Sequence, residues 1–361
     1  MSVAIDVTGL RADQYLFAPS PLAELGSTLH AVIEPAHHPA HSDWVDRIAD
    51  VIDADLMGRL VAADFLWRTS RADILLPATP GPTLSEELDG WDRLDDETWI
   101  RSALITSSCG TLEPHNDVRS PLVEERARVI VRERAAAGGP HRLEFVNDVL
   151  ADPPAARARV RRLLEDCASA FFDDTWRQIA GQLNADAQLR RDQLRAFGVA
   201  HAVGSLSPAV RLDPSAHRIL VDKLQDRFTS ARDTGLTFLP SFFGHPHLLV
   251  VHTQGWAPVV QYPLATTPVQ STTLDAVTER LHAFDHPVRI RLARSLARRA
   301  HTTSELADTW QLSTPEVSRH LTLLRQAGLV TATRQGRYVQ YTLDLAATAR
   351  LGGDIIDALL R

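Results

Sequence analysis

Two helix starts sit close together near the C-terminus, Thr302 with Glu305 and Ser313 with Glu316. In each pair a hydroxyl precedes a glutamate by three residues, the spacing at which both side chains satisfy free amides of a first helical turn. So short an interval leaves room only for a short helix, a turn and a second helix. The first helix runs out near Trp310, Gln311 and Leu312 make the turn, and Pro315 suits a first turn because amides there lack helical partners. In the second helix Val317, Leu321 and Leu324 recur at i, i+4, i+7, a stripe that must face a core. Gly328 ends this helix in the left-handed conformation, and Leu329-Val330 begins a strand. The strand runs to Arg334, turns at Gln335-Gly336 and returns through Tyr338, Val339 and Tyr341 to Leu343. This is the layout of a winged helix-turn-helix that reads duplex DNA.

The second helix turns Pro315, Ser318, Arg319 and Thr322 away from its apolar stripe, with Glu316 and His320 toward the edges. Taken alone, such a face is a solvated helix surface. Its surroundings decide otherwise. Residues 314–343 carry four arginines against the single acid Glu316, a balance of +3, on a chain whose net charge is −7. A locally positive element on an acidic protein is the electrostatic footprint of a DNA-contacting module. The expected contact residues are Thr314, Glu316, Ser318, Arg319, His320, Thr322 and Arg325 on the helix, with Arg334, Gln335, Arg337 and Tyr338 on the hairpin. Arg334 and Arg337 flank its tip, where cations meet phosphates or a minor groove.

The run SRHLTLLRQAGLV (318–330), followed by RQGRYVQYTL (334–343), resembles the ArsR/SmtB family of bacterial repressors. Upstream, RLHAFDHPVRIRLARSLARR (280–299) resembles that family's helix pair before the helix-turn-helix. The resemblance covers about 271–361. It implies a homodimeric transcription regulator, usually a repressor released by a ligand, that pairs through its first and last helices, about 272–282 and 344–360 here. It also implies that Ser318, Arg319 and His320 lie on the recognition helix, and that Arg334, Gly336 and Arg337 form the wing. The sequence departs from the family's metal sites. The helix before the turn reads ELADTWQ, without Cys or His, and the last helix offers only Asp344, Asp354 and Asp357. A tight zinc site needs softer or imidazole ligands. No metal and no cofactor are expected, and DNA binding is not expected to respond to a transition metal.

At 361 residues the chain is too long for one such module and suggests two or three domains. Its hydrophobic share of 44% supports real cores, and no apolar run reaches membrane-spanning length. The start MSVAIDVTGL lacks a signal-peptide core. Two cysteines, Cys109 and Cys167, are too few for a disulfide scaffold. The expected location is the cytoplasm, on the nucleoid when DNA is bound. Residues 271–361 carry 12 arginines against nine acids, whereas residues 1–270 carry 26 basic and 36 acidic residues. So acidic a body would repel phosphate, which leaves it the work of holding the DNA reader, sensing, or binding a partner.

Residues 19–34 read as an amphipathic helix with Leu22, Leu25 and Leu29 on one face. Helical patterns cover 44–68, 95–107, 121–137, 141–150 and 154–198, with a Pro/Gly-rich connector at 75–86. From Arg218 short β-branched or aromatic runs (RILVDKL, GLTFLPSFFG, HLLVVHT, APVVQYPL) predict three or four strands in one antiparallel sheet packed on helices. The body also resembles, through PLAELGSTLHAVIEPAHHPAHSDWV and LPSFFGHPHLLVV, the N-terminal region attached to ArsR-type domains in actinobacterial regulators. That resemblance supplies no ligand.

His37, His38 and His41 tempt a metal assignment, but Pro39 breaks any helix there, and the plainer reading is a loop before a helix capped at Ser42. His245, His247 and His252 fall among the strands, with Pro246 against a regular ladder, and read as hairpin-end residues. No G-x-S-x-G, P-loop or G-x-G-x-x-G occurs. Cys109 in SSCG lacks a matched histidine. Trp44, Trp67, Trp91, Trp99, Trp176 and Trp256 suit either the lining of a ligand cavity or the core, and most are read as core.

The expected fold is mainly α with minor β (α+β): a helical body with a small sheet over 1–265, a linker at 266–273, and a winged helix-turn-helix over 271–361. The expected function is a DNA-binding transcription regulator without enzymatic activity, controlled through the body by a small-molecule effector or partner, with no membrane association. The competing readings are an enzyme or a protein-interaction module fused to a DNA-binding domain.

Overall fold

The computed structural model describes residues 2–68, 71–105, 120–223, 226–251, 256–264, 273–335 and 338–360. The chain forms two compact units, residues 1–268 and 269–361. In the first, strands β1 (Ser2–Asp6) and β2 (Tyr15–Phe17) precede helix α1 (Pro21–Ile33). Helices α2 (Ser42–Ala49), α3 (Ala54–Ala62), α4 (Leu84–Asp92), α5 (Asp96–Ile100), α6 (Glu125–Ala137), α7 (Pro140–Ala151), α8 (Pro153–Cys167), α9 (Asp173–Phe197) and α10 (Val199–Gly204) follow. Six strands complete the unit: β3 (Val210–Asp213), β4 (Arg218–Asp222), β5 (Arg227–Ser230), β6 (Leu236–Ser241), β7 (Leu249–Val251) and β8 (Val259–Pro263).

The α+β class holds, but the body's strands depart from the expected single antiparallel sheet. They form two four-stranded sheets, ordered β3-β4-β1-β5 and β2-β6-β8-β7, and both are mixed. β1 runs antiparallel to β4 (Ile5 opposite Ile219) and parallel to β5, while β6 is parallel to both β2 and β8. Two of these strands lie in the first 17 residues, where no strand was expected. Parallel neighbours must come from distant parts of the chain, so local patterning cannot announce them.

β6 is buried at all six positions. Its neighbours show why. Phe238, Val260 and Tyr262 pack with Ala187 and Leu194 of α9, whereas Leu239 and Val259 pack with Ala23 of α1. Successive strand side chains point to opposite faces, so α9 covers one face of the second sheet and α1 the other. Gly235 leads into β6 with a φ of +76°, and a Cβ there would stand 2.8 Å from the Gln14 carbonyl oxygen, so only glycine fits.

α1 differs from the one-sided helix expected of 19–34. Ser20 caps it, its hydroxyl accepting from the Ala23 amide at 3.0 Å, and residues 21–31 are all buried. The opposite flank of the leucine stripe, with Glu24, Ser27, Thr28 and His30, is covered as well. The expected helical stretch 44–68 is broken because the Asp53 side chain accepts from the Leu56 amide at 2.8 Å and starts α3 afresh. The stretch 154–198 passes from α8 to α9 through a π-helical turn, Ala168–Phe172, and ends at Gly198 with a φ of +81°. Trp67, Trp91 and Trp99 are core residues, with Trp44, Trp176 and Trp256 packed at its margin. Cys167 is buried among them, its thiol pushed up to about 12 chiefly by burial. Cys109, His252 and 266–272 of the expected linker lie outside the described residues.

α4 is anchored on the start of α1 by Glu87. Its carboxylate accepts from the Leu22 amide (2.7 Å), the Ser20 hydroxyl (3.0 Å) and the Gly81 amide (3.0 Å). Burial outweighs these bonds and lifts the carboxyl from 4.5 to about 7. The unfolded chain releases this proton near 4.5 and the folded protein keeps it to about 7, so the group's stabilising contribution is full below 4.5 and is lost as pH rises through 7. Replacement Glu87→Gln should therefore favour the variant, relative to wild type, by about 2–3 kcal/mol on moving from pH 5 to pH 8, measured by urea unfolding of the full chain. A difference that is the same at both pH values would contradict this.

Candidate nucleic-acid interface

The second unit starts with α11 (Leu274–Phe284) and α12 (Pro287–Leu296), then strand β9 (His301–Thr302), α13 (Thr303–Trp310) and α14 (Thr314–Gln326). Strands β10 (Val330–Gln335) and β11 (Tyr338–Leu343) and helix α15 (Leu345–Leu360) complete it. Both expected caps form. Thr302 Oγ1 accepts from the Glu305 amide (3.3 Å) while Glu305 Oε2 accepts from the Thr302 amide (2.7 Å), and Ser313 Oγ accepts from the Glu316 amide (3.4 Å). Gln311, at a φ of +55°, turns the chain between the two helices, and Gly328, at +69°, ends α14. Thr273, the described end of the expected linker, caps α11 by accepting from the Ala276 amide.

Val317, Leu321 and Leu324 are buried with Leu292, Leu296 and Leu306 in one core. Each fully buried leucine contributes roughly 1.5–3 kcal/mol, so the stripe fixes the rotation of α14 about its axis. Trp310 Nε1 donates to Ser295 Oγ at 3.1 Å and locks α13 to α12, while the Arg289 guanidinium donates to the carbonyls of Ala283 (2.6 Å) and His282 (2.7 Å) and fixes the α11–α12 corner.

With that rotation set, Thr314, Ser318, Arg319, Thr322 and Arg325 are exposed on one side of α14. Arg319 and Arg325 make no side-chain ion pair among the described residues, so their donors remain for an external acceptor. Glu316 is half-buried. His320 turns toward the core edge, its ring 4.7 Å from that of His286, and burial first, then the His286 and Arg289 charges, hold its pKa below the usual value. It borders the exposed face as a neutral ring.

The hairpin pairs Val330 with Leu343 through to Gln335 with Tyr338. Gln335, expected in the turn, keeps a partner across the ladder and so belongs to β10. Arg334 is exposed on β10. Gly336 and Arg337 lie outside the described residues, as do the side chains of Gln335 and Tyr338. β9 adds a third, unexpected strand beside β11, Tyr341 opposite His301.

α11 packs against α15. Arg280 and Asp354, both largely buried, form an ion pair between them. Around it Leu274, Leu281, Leu345, Ile356 and Leu359 are exposed. The carboxylates on which a family metal site at α15 would depend are already engaged: Asp354 by Arg280, and Asp344 by the Ala347 amide at 2.8 Å. α13 carries no Cys or His. These positions do not fit a metal ion.

In the body, the structure regroups the histidines. His41 packs on Phe243 rather than pairing with His37, and His37 and His247 converge on His30 of α1. His30 escaped notice because a lone histidine inside an apolar helix reads as core, and its partner lies 217 positions away. No helix among the described residues is long and apolar enough to cross a membrane.

Residues 1–268 match the family described as "Family of unknown function (DUF5937)", and residues 284–332 match one described as "Helix-turn-helix domain". Among curated relatives, "HTH-type transcriptional repressor SmtB" of Mycobacterium tuberculosis is 37% identical over 97 residues, 27% of this chain and 70% of that protein. "Probable mercury resistance operon repressor" of Streptomyces lividans is 31% identical over 87 residues, 24% of this chain and 70% of that protein. Among solved structures, the "cadmium metal-sensor CMTR from Mycobacterium tuberculosis" is 33% identical over 23% of this chain and 88% of that one, with a TM-score of 0.19. The capped helix pair, the family matches and the curated relatives lead to one assignment: the chain belongs to the ArsR/SmtB family of DNA-binding transcription regulators through its C-terminal unit, and to the DUF5937 family through residues 1–268.

Proposed function

We propose that this protein is a non-enzymatic cytoplasmic repressor that binds an inverted-repeat operator as a homodimer, with the body, residues 1–265, as its regulatory part joined through 266–273. The observation that carries the reading is the exposed face of α14, where Arg319 stands between Ser318 and Thr322 on a helix whose rotation is fixed by its core. Short polar side chains beside one arginine suit close approach to base edges, with Thr314, Arg325 and the wing residues Arg334, Gln335, Arg337 and Tyr338 toward the backbone. Glu316 and His320 border that face.

The dimer rests on Leu274, Leu281, Leu345, Ile356 and Leu359, exposed apolar side chains on two helices that a second copy would cover. Two recognition helices so paired would read half-sites about one helical turn, roughly 10 bp, apart. The acidity of residues 1–270 supports regulation over DNA contact for the body. A ligand or partner there changes operator affinity only by binding the competent and incompetent states unequally, and operator then changes ligand affinity by the same factor.

Two measurements test this. In fluorescence-anisotropy titrations with the operator, Arg319→Ala should lower discrimination between cognate and scrambled duplex by about 1–3 kcal/mol, whereas Arg334→Ala should weaken both and reduce the salt slope by about one. An unchanged cognate-to-scrambled ratio for Arg319→Ala removes that residue from the readout. In analytical ultracentrifugation the wild-type chain should sediment as a dimer at micromolar concentration, and Leu281→Asp should shift it toward monomer and weaken operator binding. A wild-type monomer would sink the paired-helix geometry.

A further inference from the structure

His30, His37 and His247 each present one ring nitrogen, and these nitrogens lie within 4.8 Å of one another. They come from three parts of the body: the last turn of α1, the short 3-10 turn Pro35–His37, and the segment between β6 and β7. We propose that these three imidazoles form a site for one divalent transition-metal ion, zinc foremost, with a fourth position left to water or an exogenous ligand. The site is independent of the DNA-binding reading.

Three observations carry it. First, His30 is already oriented as a metal ligand. Its Nδ1 lies 2.9 Å from the Trp67 carbonyl, which can only accept, so Nδ1 holds the proton and Nε2 presents a lone pair. That Nε2 is 3.1 Å from His247 Nε2. A backbone carbonyl on the far nitrogen is the usual outer support of a metal-bound imidazole.

Second, His37 Nδ1 is shielded from solvent and has no hydrogen-bond partner. A buried polar atom left unpaired costs about 1–3 kcal/mol, which a metal or a bound water would offset.

Third, the spacing suits a tetrahedral ion. Zinc–imidazole bonds of about 2.0–2.1 Å set ligand nitrogens about 3.4 Å apart. The His30–His247 pair is within a few tenths of an ångström of that. His37 needs a shift of about 1.4 Å at most, which its short surface turn can supply.

The electrostatics cut both ways. Burial, then the Arg71 guanidinium, hold His30 far below the ordinary histidine pKa, and the same two causes bring neighbouring His38 down to about 3. These rings are therefore neutral rather than imidazolium. Arg71 also repels a cation. With three neutral ligands and Arg71 near them, the ion favours an anionic fourth ligand.

The test uses the full chain, free of any histidine tag and stripped with chelator. Zn²⁺ titrated calorimetrically should bind at one equivalent, and Co²⁺ should give the intense visible bands of a four-coordinate site. His37→Ala and His247→Ala should each weaken Zn²⁺ binding at least about 10-fold, with far-UV circular dichroism confirming the fold. His201→Ala, on α10 and outside the cluster, should not. The proposal is overturned if the folded wild-type chain takes up no stoichiometric metal. It also fails if His37→Ala and His247→Ala bind zinc as tightly as wild type.

Discussion

A helix buried on every side has no water for its polar side chains, so the partners they find within the protein organise the body around α1, although Glu24 Oε2 finds none. Glu24 Oε1 accepts from the amides of Phe242 and Phe243, both at 2.9 Å, and so pins the chain leaving β6 to the middle of α1. Gln261 of β8 donates to the Ala23 carbonyl (3.1 Å) and Ser27 Oγ (3.0 Å) and accepts from Arg71 at 2.9 Å. Unpaired, any of these groups would carry the full penalty of desolvation, and burial already raises the Glu24 pKa against the bonds that favour its charged form. The seam thus sets the register of sheet against helix by polar matching, where apolar contacts alone would tolerate sliding. It also brings the segment holding His247 to the end of α1, where His30 stands.

The winged unit was readable from sequence because its information is local. Thr302, Ser313 and Gly328 determine helix ends within a few residues of themselves, and the Val317–Leu321–Leu324 stripe states which side faces inward. Only the end of β10, which takes in Gln335, and the small strand β9 escaped, since each depends on a cross-strand partner. The body was readable as helices but not as an assembly. The buried flank of α1 has small and polar residues that no hydrophobic period distinguishes from a wet face. β1 shows Val3 and Ile5 in alternation, yet five residues beside a turn carry little weight until their partners near 219 and 229 are known. The histidine cluster fails for the same reason: its members are ordinary one by one, and only the fold makes them neighbours.

The two units also divide the electrostatic labour. The arginine excess is confined to residues 271–361 and the acidic excess to residues 1–270, so electrostatic attraction to a polyanion concentrates on the helix-turn-helix unit instead of spreading over the chain. Within the winged unit most of the arginine is exposed. Within the body, Arg71 and Arg190 are buried and committed: Arg71 to Gln261, and Arg190 to Asp186 and Ser205. The same residue type is solvent-facing in one unit and internal scaffold in the other.

The position of β1 has a consequence during synthesis. It lies between β4 and β5, so Val3 waits for partners at Val221 and Arg227. At translation rates of about 5–20 residues per second, roughly 10–40 s pass between the emergence of this strand and that of its neighbours. Through that interval its apolar positions and both of its edges have no native cover, while the helices from α1 to α9 are emerging. The winged unit pairs almost wholly with its own near neighbours and can close soon after it leaves the ribosome. The body is therefore the slower part to mature, its first strand left open longest to pairing with the wrong partner.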